Sequence, residues 1–450
     1  MDDGGIIGDV ELLRKVWKLL LERGPALGLH LNPSKCEWSW LDPERSDPCP
    51  IDGVAFVAHS QIQMLGVPLG CDEFVAGFVV DKLVDFEDSQ ASSYLLRVSY
   101  SIVRAVHFMR TTPLHLWKDQ AIKFDQMIRK AIVGILGFPM DDVTFMQVSL
   151  TPKLGGLGLR QVAEHADMAY HASWHESQRT AREVWVAPQG MSAEHVPQSV
   201  ASFAFDEKRH AFLVSTAPNE REAQRLRRCA QPHANGFITA VPSEEDGRDT
   251  LLKPRVFRTA VAYRLGLPLL KEEIPCPLCK QTINIYGDHA TCCTHNGDII
   301  IRHNTLRNLI DNFASDGLLS PELEKQGILG NTTGRRPGDV TLHRWNAGGA
   351  LAIDVAITSA LGKKAMRLES PCEEYGVTQK HGKYDKSFAE TNFSFCAMVW
   401  ETLGALNSEG EEVLRQIFRF AAKQLGCEFS SYCGRAWARI SCCLQRSVGQ

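Results

Sequence analysis

The sequence predicts a multidomain chain of mixed α/β and α+β class, and three features predict it. Residues 91–178 carry apolar side chains largely at helical spacing. Residues 350–358 form a continuous apolar run holding one acid, the pattern of a buried strand with a carboxylate inside it. Between these stretches lies a cysteine cluster with the spacing of metal ligands. A length of 450 residues exceeds one ordinary core, so roughly two to four domains are expected.

At the front, Val10, Leu12, Leu13, Val16, Leu19 and Leu20 recur at helical spacing and Gly24-Pro25 ends the run, which predicts an amphipathic helix over 9–27. Leu31 to Glu37 reads as a turn entering a strand, and 61–70 as a short strand with a tight Gly/Pro turn. The helical stretch bears periodic cations (Arg97, Arg104, Arg110, Lys123, Arg129 and Lys130) and is interrupted by a glycine-rich break from Leu154 to Arg160. Residues 181–250 are rich in Ala, Pro, Ser and charge and predict a linker or weakly packed region. A short basic helix with Arg255, Arg258 and Arg264 leads into the cysteine cluster, and 387–425 is expected to be helical. Trp38 and Trp40 are expected in a core rather than as base-stacking platforms.

Hydrophobic content of 44% and charged content of 23% describe an ordinary globular chain. A net charge of -4 argues against a basic nucleic-acid coat and leaves room for a local basic groove. No apolar run approaches the roughly 18–20 residues of a membrane span. The start, Met1-Asp2-Asp3-Gly4-Gly5, is acidic and is no signal peptide. An intracellular chain with no membrane partner is therefore expected. Fourteen irregularly spaced cysteines suit a reducing compartment with one metal site better than a disulfide framework. Cys427, Cys433, Cys442 and Cys443 lack ligand-like spacing to a histidine and read as ordinary thiols.

Structural zinc takes four N/S ligands, and a CxxC turn supplies two of them. Cys276 and Cys279 form that pair, and His289 and Cys293 follow within reach of the same ion. Cys292 and His295 compete for the last position, and a reduced cysteine cluster without metal is the plain alternative.

Downstream, Arg336-Pro337-Gly338-Asp339 precedes one expected strand and Ile353-Asp354-Val355 lies inside the next. Two acids on adjacent strands can hold Mg²⁺ against a phosphate, and a nearby cation helps form the attacking hydroxide. In the usual PD-(D/E)xK pattern the lysine lies two residues after the second acid, where this chain has Ala356. Lys380, or Lys383, must then reach in from the next helix, with Tyr384 orienting the lysine or touching phosphate. Glu324, expected on a helix upstream, is a further candidate carboxylate. Arg302 and His303 either contact DNA phosphate or cap and orient the zinc module.

In this order, the zinc cluster, Arg302-His303-Asn304, Arg336-Pro337-Gly338-Asp339, Ile353-Asp354-Val355 and Lys380-His381-Gly382-Lys383-Tyr384 resemble the restriction-like endonuclease of non-LTR retrotransposons. The front of the chain resembles the reverse transcriptase of the same family. Met1-Asp2-Asp3-Gly4 is similar to the end of its aromatic-x-Asp-Asp motif, and Leu31 to Glu37, with Lys35, is similar to the lysine-bearing palm motif. Leu65 to Gly70 resembles the primer-grip hairpin. Residues 91–178, with Arg110-Thr111-Thr112-Pro113 and Gly155 to Leu159, look like the thumb.

The resemblance implies a palm remnant over 1–90, a helical thumb over 91–180, a linker over 181–250, a basic helix and zinc module over 251–303, a restriction-endonuclease-like core over 304–430 and a tail over 431–450. It implies structural Zn²⁺, catalytic Mg²⁺, a DNA target, element RNA and nuclear action. The family nicks target DNA and uses the freed 3′-OH to prime reverse transcription. The fingers and first palm motif are missing, so Asp2 and Asp3 are not expected to polymerise, and the chain reads as the C-terminal part of such a polyprotein. The alternatives are a non-catalytic, zinc-stabilised nucleic-acid-binding remnant and a free-standing repair nuclease.

Overall fold

The computed structural model describes residues 6, 8–27, 30–40, 42, 45–58, 61–64, 67–70, 88–184, 196–243, 249–295, 297–330, 337–346, 349–362 and 364–448. Helix predominates, with small sheets, which agrees with an α+β chain in general terms. Asp2 and Asp3 lie outside the described residues.

The first helix, α1 (Val10–Arg23), starts where the Asp9 carboxylate accepts the Leu12 amide and stops at Gly24. Short strands β1 (Glu37–Trp38) and β2 (Ala55–Phe56) pair in parallel. Trp38 and Trp40 are buried and meet edge to face at 5.2 Å. Strands β3 (Gln61–Met64) and β4 (Val67–Gly70) form the expected hairpin.

Five helices build the next region: α2 (Ser89–Leu95), α3 (Ile102–Thr111), α4 (Lys118–Leu136), α5 (Asp142–Ser149) and α6 (Val162–Val184). Ile128, Ile132 and Leu136 of α4 recur on one face and meet Leu96, Phe145 and Val148 in a core. The glycine break is a packing requirement: a Cβ on Gly156 would sit 2.0 Å from the Leu150 carbonyl oxygen. Buried Asp125 on α4 caps α6 from outside, accepting the amides of Val162 (2.7 Å) and Ala163 (2.9 Å).

The expected linker is corrected. Within 181–250 the structure has α7 (Gln198–Ser215), α8 (Glu220–Cys229) and α9 (Gly236–Thr239), with Leu213, Leu226, Cys229, Phe237 and Ile238 buried. Part of the charge there is internal. Arg225 donates to the Arg264 carbonyl and the Gln147 side chain, and Arg228 donates to the carbonyls of Leu368 and Glu369.

The basic helix is α10 (Pro254–Leu265), and the cysteine cluster contains a small hairpin of β5 (Ile274–Pro275) and β6 (Thr282–Ile283). Then α11 (Asp298–Asp316) leads into a four-stranded sheet of β7 (Pro321–Leu323), β8 (Val340–Leu342), β9 (Ala350–Thr358) and β10 (Phe393–Glu401). The spatial order is β10-β9-β8-β7, parallel between β10 and β9 and antiparallel elsewhere. Two short helices, α12 (Pro371–Tyr375) and α13 (Gly382–Phe388), joined by a π-helical turn at Gly376–His381, make the crossover from β9 to β10. Last come α14 (Ser408–Gln424) and α15 (Phe429–Val448).

Strand alternation sorts the β9 side chains. Leu351, Ile353 and Val355 pack with Phe313, Phe418 and Tyr432 of α11, α14 and α15. Ala352 packs on the opposite side with Tyr384 and Phe388, and Ala356 with Cys372. Asp354 shares that second face by its register.

Three further expectations change. Residues 393–401, expected helical, are a strand because they pair along nine residues of β9. Glu324 is not on a helix: α11 ends at Asp316, Leu318 and Ser320 turn the chain with positive φ, and Glu324 follows β7. The span 431–450 is no tail, since α15 buries Tyr432, Ala436, Ile440 and Leu444 in the sheet core and Cys442 in the helical core.

Asp125→Ala removes a cap and strands two donors, the Val162 amide buried and the Ala163 amide half-buried. It is expected to cost about 2–3 kcal/mol, seen as a lower urea midpoint at unchanged slope.

Candidate metal centre and carboxylate site

The Cys276–Lys280 turn is closed by the Lys280 amide donating to the Cys276 carbonyl (3.0 Å) and the Cys276 amide donating to the Gln281 carbonyl (2.8 Å). Lys280 takes positive φ to allow it. The ligand atoms of Cys276, Cys279, His289 and Cys293 lie within 4.8 Å of one another, a group that could hold a metal such as zinc. Tetrahedral zinc with Zn–S near 2.3 Å places its sulfurs about 3.8 Å apart. Here Cys276 and Cys293 are 3.8 Å apart and Cys279 and Cys293 3.7 Å, with Cys279 Sγ 3.0 Å from His289 Nε2.

The open choice at the fourth position narrows. Cys292 turns away, its thiol facing the carbonyls of Asp288 and His289, and burial pushes that thiol up. Burial raises the Cys293 thiol as well, so the choice rests on geometry; the amides of Cys279 and Leu278 bring the Cys276 thiol down to about 6. His295 faces Thr294.

The module is tied down by residues that its spacing pattern does not reveal. Arg221 of α8 donates to both Asp288 carboxylate oxygens at 2.7 Å and lies 3.7 Å over the Tyr286 ring. Arg302 is buried and donates to the Thr291 carbonyl (2.9 Å). Its position is the one that orients the module, and its guanidinium is withdrawn from a phosphate. The helical cations are also largely engaged: Arg97 donates to the Ile238 carbonyl, and Arg110 and Arg129 pair with Glu176 and Asp142.

At the end of the sheet, Asp339 enters β8. Its amide donates to the Ile353 carbonyl (2.8 Å) and its Oδ2 accepts the Val355 amide (2.6 Å). Gly338 makes this approach feasible, since a Cβ there would lie 3.0 Å from that of Ala352. His303 of α11 reaches the same oxygen (3.3 Å) and the Val355 carbonyl (3.2 Å). The hydrogen bond to Asp339 raises the His303 pKa, against burial. His303 thus braces Asp339, a role the sequence motif did not disclose.

Asp354 is 6% exposed and ion-paired with Lys380 from the π-helical turn. Burial pushes the Asp354 carboxyl up while Lys380 pulls it down, and the net shift is upward. Burial disfavours the charged ammonium, but Asp354 outweighs it and the Lys380 pKa rises. Position 356, two residues on from Asp354, shares its face, and there the chain has a small alanine. The cation arrives from the crossover instead.

Of the other candidates, Glu324 pairs with Arg307, and its amide donates to the Asp339 carbonyl (3.0 Å). Lys383 is exposed and lies 4.6 Å over the Tyr384 ring. Tyr384 is buried among Ile328, Ala352 and Phe388, so its ring belongs to the core. Lys35 sits exposed on a single 3-10 turn capped by Asn32. His381, beside Lys380, joins Asp385 and Glu409 at 2.8 Å each, pinning the π-helical turn to α14.

No protein family model matches this chain, and no curated protein matches it either. No helix among the described residues is long and apolar enough to cross a membrane.

Two outcomes are expected. The purified chain carries about one equivalent of zinc by elemental analysis; Cys293→Ser loses it and Cys292→Ser keeps it, and the reverse pattern would reassign the fourth ligand. Burial lowers the His381 pKa, but Glu409 and Asp385 raise it above 6.5 on balance. Its stabilising contribution is therefore full below that pH and lost as pH rises through the raised value. His381→Asn should flatten the fall in melting temperature as pH rises above 6.5.

Proposed function

We propose that this chain belongs to a non-LTR retrotransposon protein, with a Mg²⁺-dependent DNA endonuclease behind a zinc module and a reverse-transcriptase-like region. The observation that carries the reading is the buried Asp354–Lys380 pair next to Asp339. Two carboxylates and a lysine, brought from three separate elements, form the donor set of phosphodiester hydrolysis. The order of motifs around them supports the family.

The acids suit a hard cation. Among the described residues no hydrogen bond engages Oδ1 of either Asp339 or Asp354, so each keeps an oxygen for a ligand. Mg²⁺ is commonly held by one or two carboxylates with water and phosphate completing its shell, and when bound it supplies charge neutralisation at the scissile phosphate. His303 and the Val355 amide fix Asp339. Lys380 offsets negative charge beside Asp354 and is the cation placed to favour an attacking hydroxide. DNA as target, element RNA as partner and nuclear action follow from the family resemblance.

The test is nicking of supercoiled duplex DNA with Mg²⁺. Asp354→Asn should abolish it with zinc content unchanged. Lys380→Met in the Asp354→Asn background controls for folding, because Lys380→Met alone leaves a buried charge unpaired at a cost of about 3–5 kcal/mol. Nicking at the wild-type rate in Asp354→Asn would sink the nuclease assignment. DNA binding without any nicking by the wild-type chain would leave the zinc-stabilised, non-catalytic remnant.

A further inference from the structure

Away from the acids, a cleft of about 950 Å³ opens between the 230–241 segment and α15. Its rim is cationic. Lys153, Arg415, Arg435 and Arg439 line it, and among the described residues no Asp or Glu does. Arg435 and Arg439 are one helical turn apart, and Gly434 and Ala438 beside them leave the space open. Arg415 is held by Glu411 at 2.8 Å, so its charge is largely spent. The other three differ. Arg435 touches Ser431 Oγ (2.8 Å) and Cys427 Sγ, Arg439 lies 5.2 Å from the Phe313 ring with its Nε unbonded, and Lys153 is exposed. Among the described residues none of the three has a carboxylate partner. Glu411 faces His233 and Arg415, and Asp249 faces Arg446, so neither compensates them.

The floor is rigid. His233 stacks on Trp437 at 3.6 Å, the Phe237 amide donates to Ser441 Oγ (2.9 Å), and a Cβ on Gly236 would meet that of Ser441 at 2.6 Å. Uncompensated cations over apolar walls focus a positive potential, in a chain whose net charge is -4. Arginine pairs well with phosphate oxygens.

We propose that this cleft is a phosphate-binding groove that takes the backbone of a nucleic-acid strand, on elements separate from Asp339 and Asp354. The choice of a strand over a free polyphosphate rests on the nucleic-acid reading of the chain.

The probe is a fluorescent DNA 20-mer, single-stranded and duplex, titrated by anisotropy without Mg²⁺ over a range of salt. The variant is Lys153→Gln with Arg435→Gln, two exposed changes outside the carboxylate site, with zinc content and melting temperature as folding controls. Each lost phosphate contact lowers the salt slope by about one, so the double variant should lose nearly two and bind on the order of tenfold more weakly at about 0.1 M salt. Absence of DNA binding by the wild-type chain, or an unchanged slope in a folded variant, overturns the groove. Retention of inorganic tripolyphosphate with no DNA binding overturns the strand assignment. A chain that binds through Lys153 and Arg435 yet never nicks keeps the groove and loses the nuclease; one that nicks with variant-insensitive binding loses the groove alone.

Discussion

The parallel pairing of β9 with β10 is the constraint from which the carboxylate site follows. Nine residues run in register, from Ala350 with Phe393 to Thr358 with Glu401. Parallel neighbours cannot be joined by a tight turn, so the chain must cross over a face of the sheet. The opposite face is already filled by α11, α14 and α15. The crossover therefore carries Lys380 over the face that Asp354 shares with Ala352 and Ala356. Sequence distance between Asp354 and Lys380 is large because a whole strand-to-strand connection lies between them.

The charged pair so formed is a poor choice for stability alone. Desolvating a carboxylate and an ammonium costs several kcal/mol per ion, and an apolar pair of similar volume is often as stable or more so. Buried charge elsewhere in this protein is differently arranged. Arg264 is fully buried, and its donors end on the carbonyls of Ala234, Pro152 and Cys229. Arg225 likewise ends on a carbonyl, the Gln147 side chain and Glu222. Those donors mostly end on protein partners, with Nε of Arg264 left over. Among the described residues Asp339 and Asp354 each keep Oδ1 outside any hydrogen bond; His303 and the Val355 amide fix Asp339, and Lys380 offsets the charge of Asp354. That contrast is the physical reason to read one set as cement and the other as a site.

Local chemistry was legible in the chain, and non-local chemistry was not. The apolar run at 350–358, the Cys276–Cys279 turn and the Gly155–Gly158 break each depend on a few adjacent residues, and each stands as expected. The strand at 393–401 owes its conformation to β9. The apparent linker misled because a polar composition usually means solvation, whereas Arg225 and Arg228 spend their charge on buried partners. Between Cys292 and Cys293 the choice lay in the 3-10 turn at Asp288–Thr291, which decides which sulfur faces inward. Lys380 was identified by order and left unplaced by spacing.

The same buried arginines bear on what counts as a unit. Glu401, at the end of β10, is fully buried, and its cation is Arg228 of α8, 3.8 Å away. Asp288 beside the cysteine cluster is held by Arg221, about two helical turns earlier on α8. A chain cut near residue 250 would keep Glu401 and Asp288 and lose both partners. Breaking a buried pair from one side costs about 3–5 kcal/mol, a large share of the roughly 5–15 kcal/mol that holds a domain folded. α15 adds a second tie, since Ile440 and Leu444 pack on the sheet while Cys442 packs among the α4 and α10 side chains. The geometry at Asp339 and Asp354 is therefore braced by residues from before the zinc module as well as after it. That dependence argues that the carboxylate site and the helices before the cysteines fold as one unit.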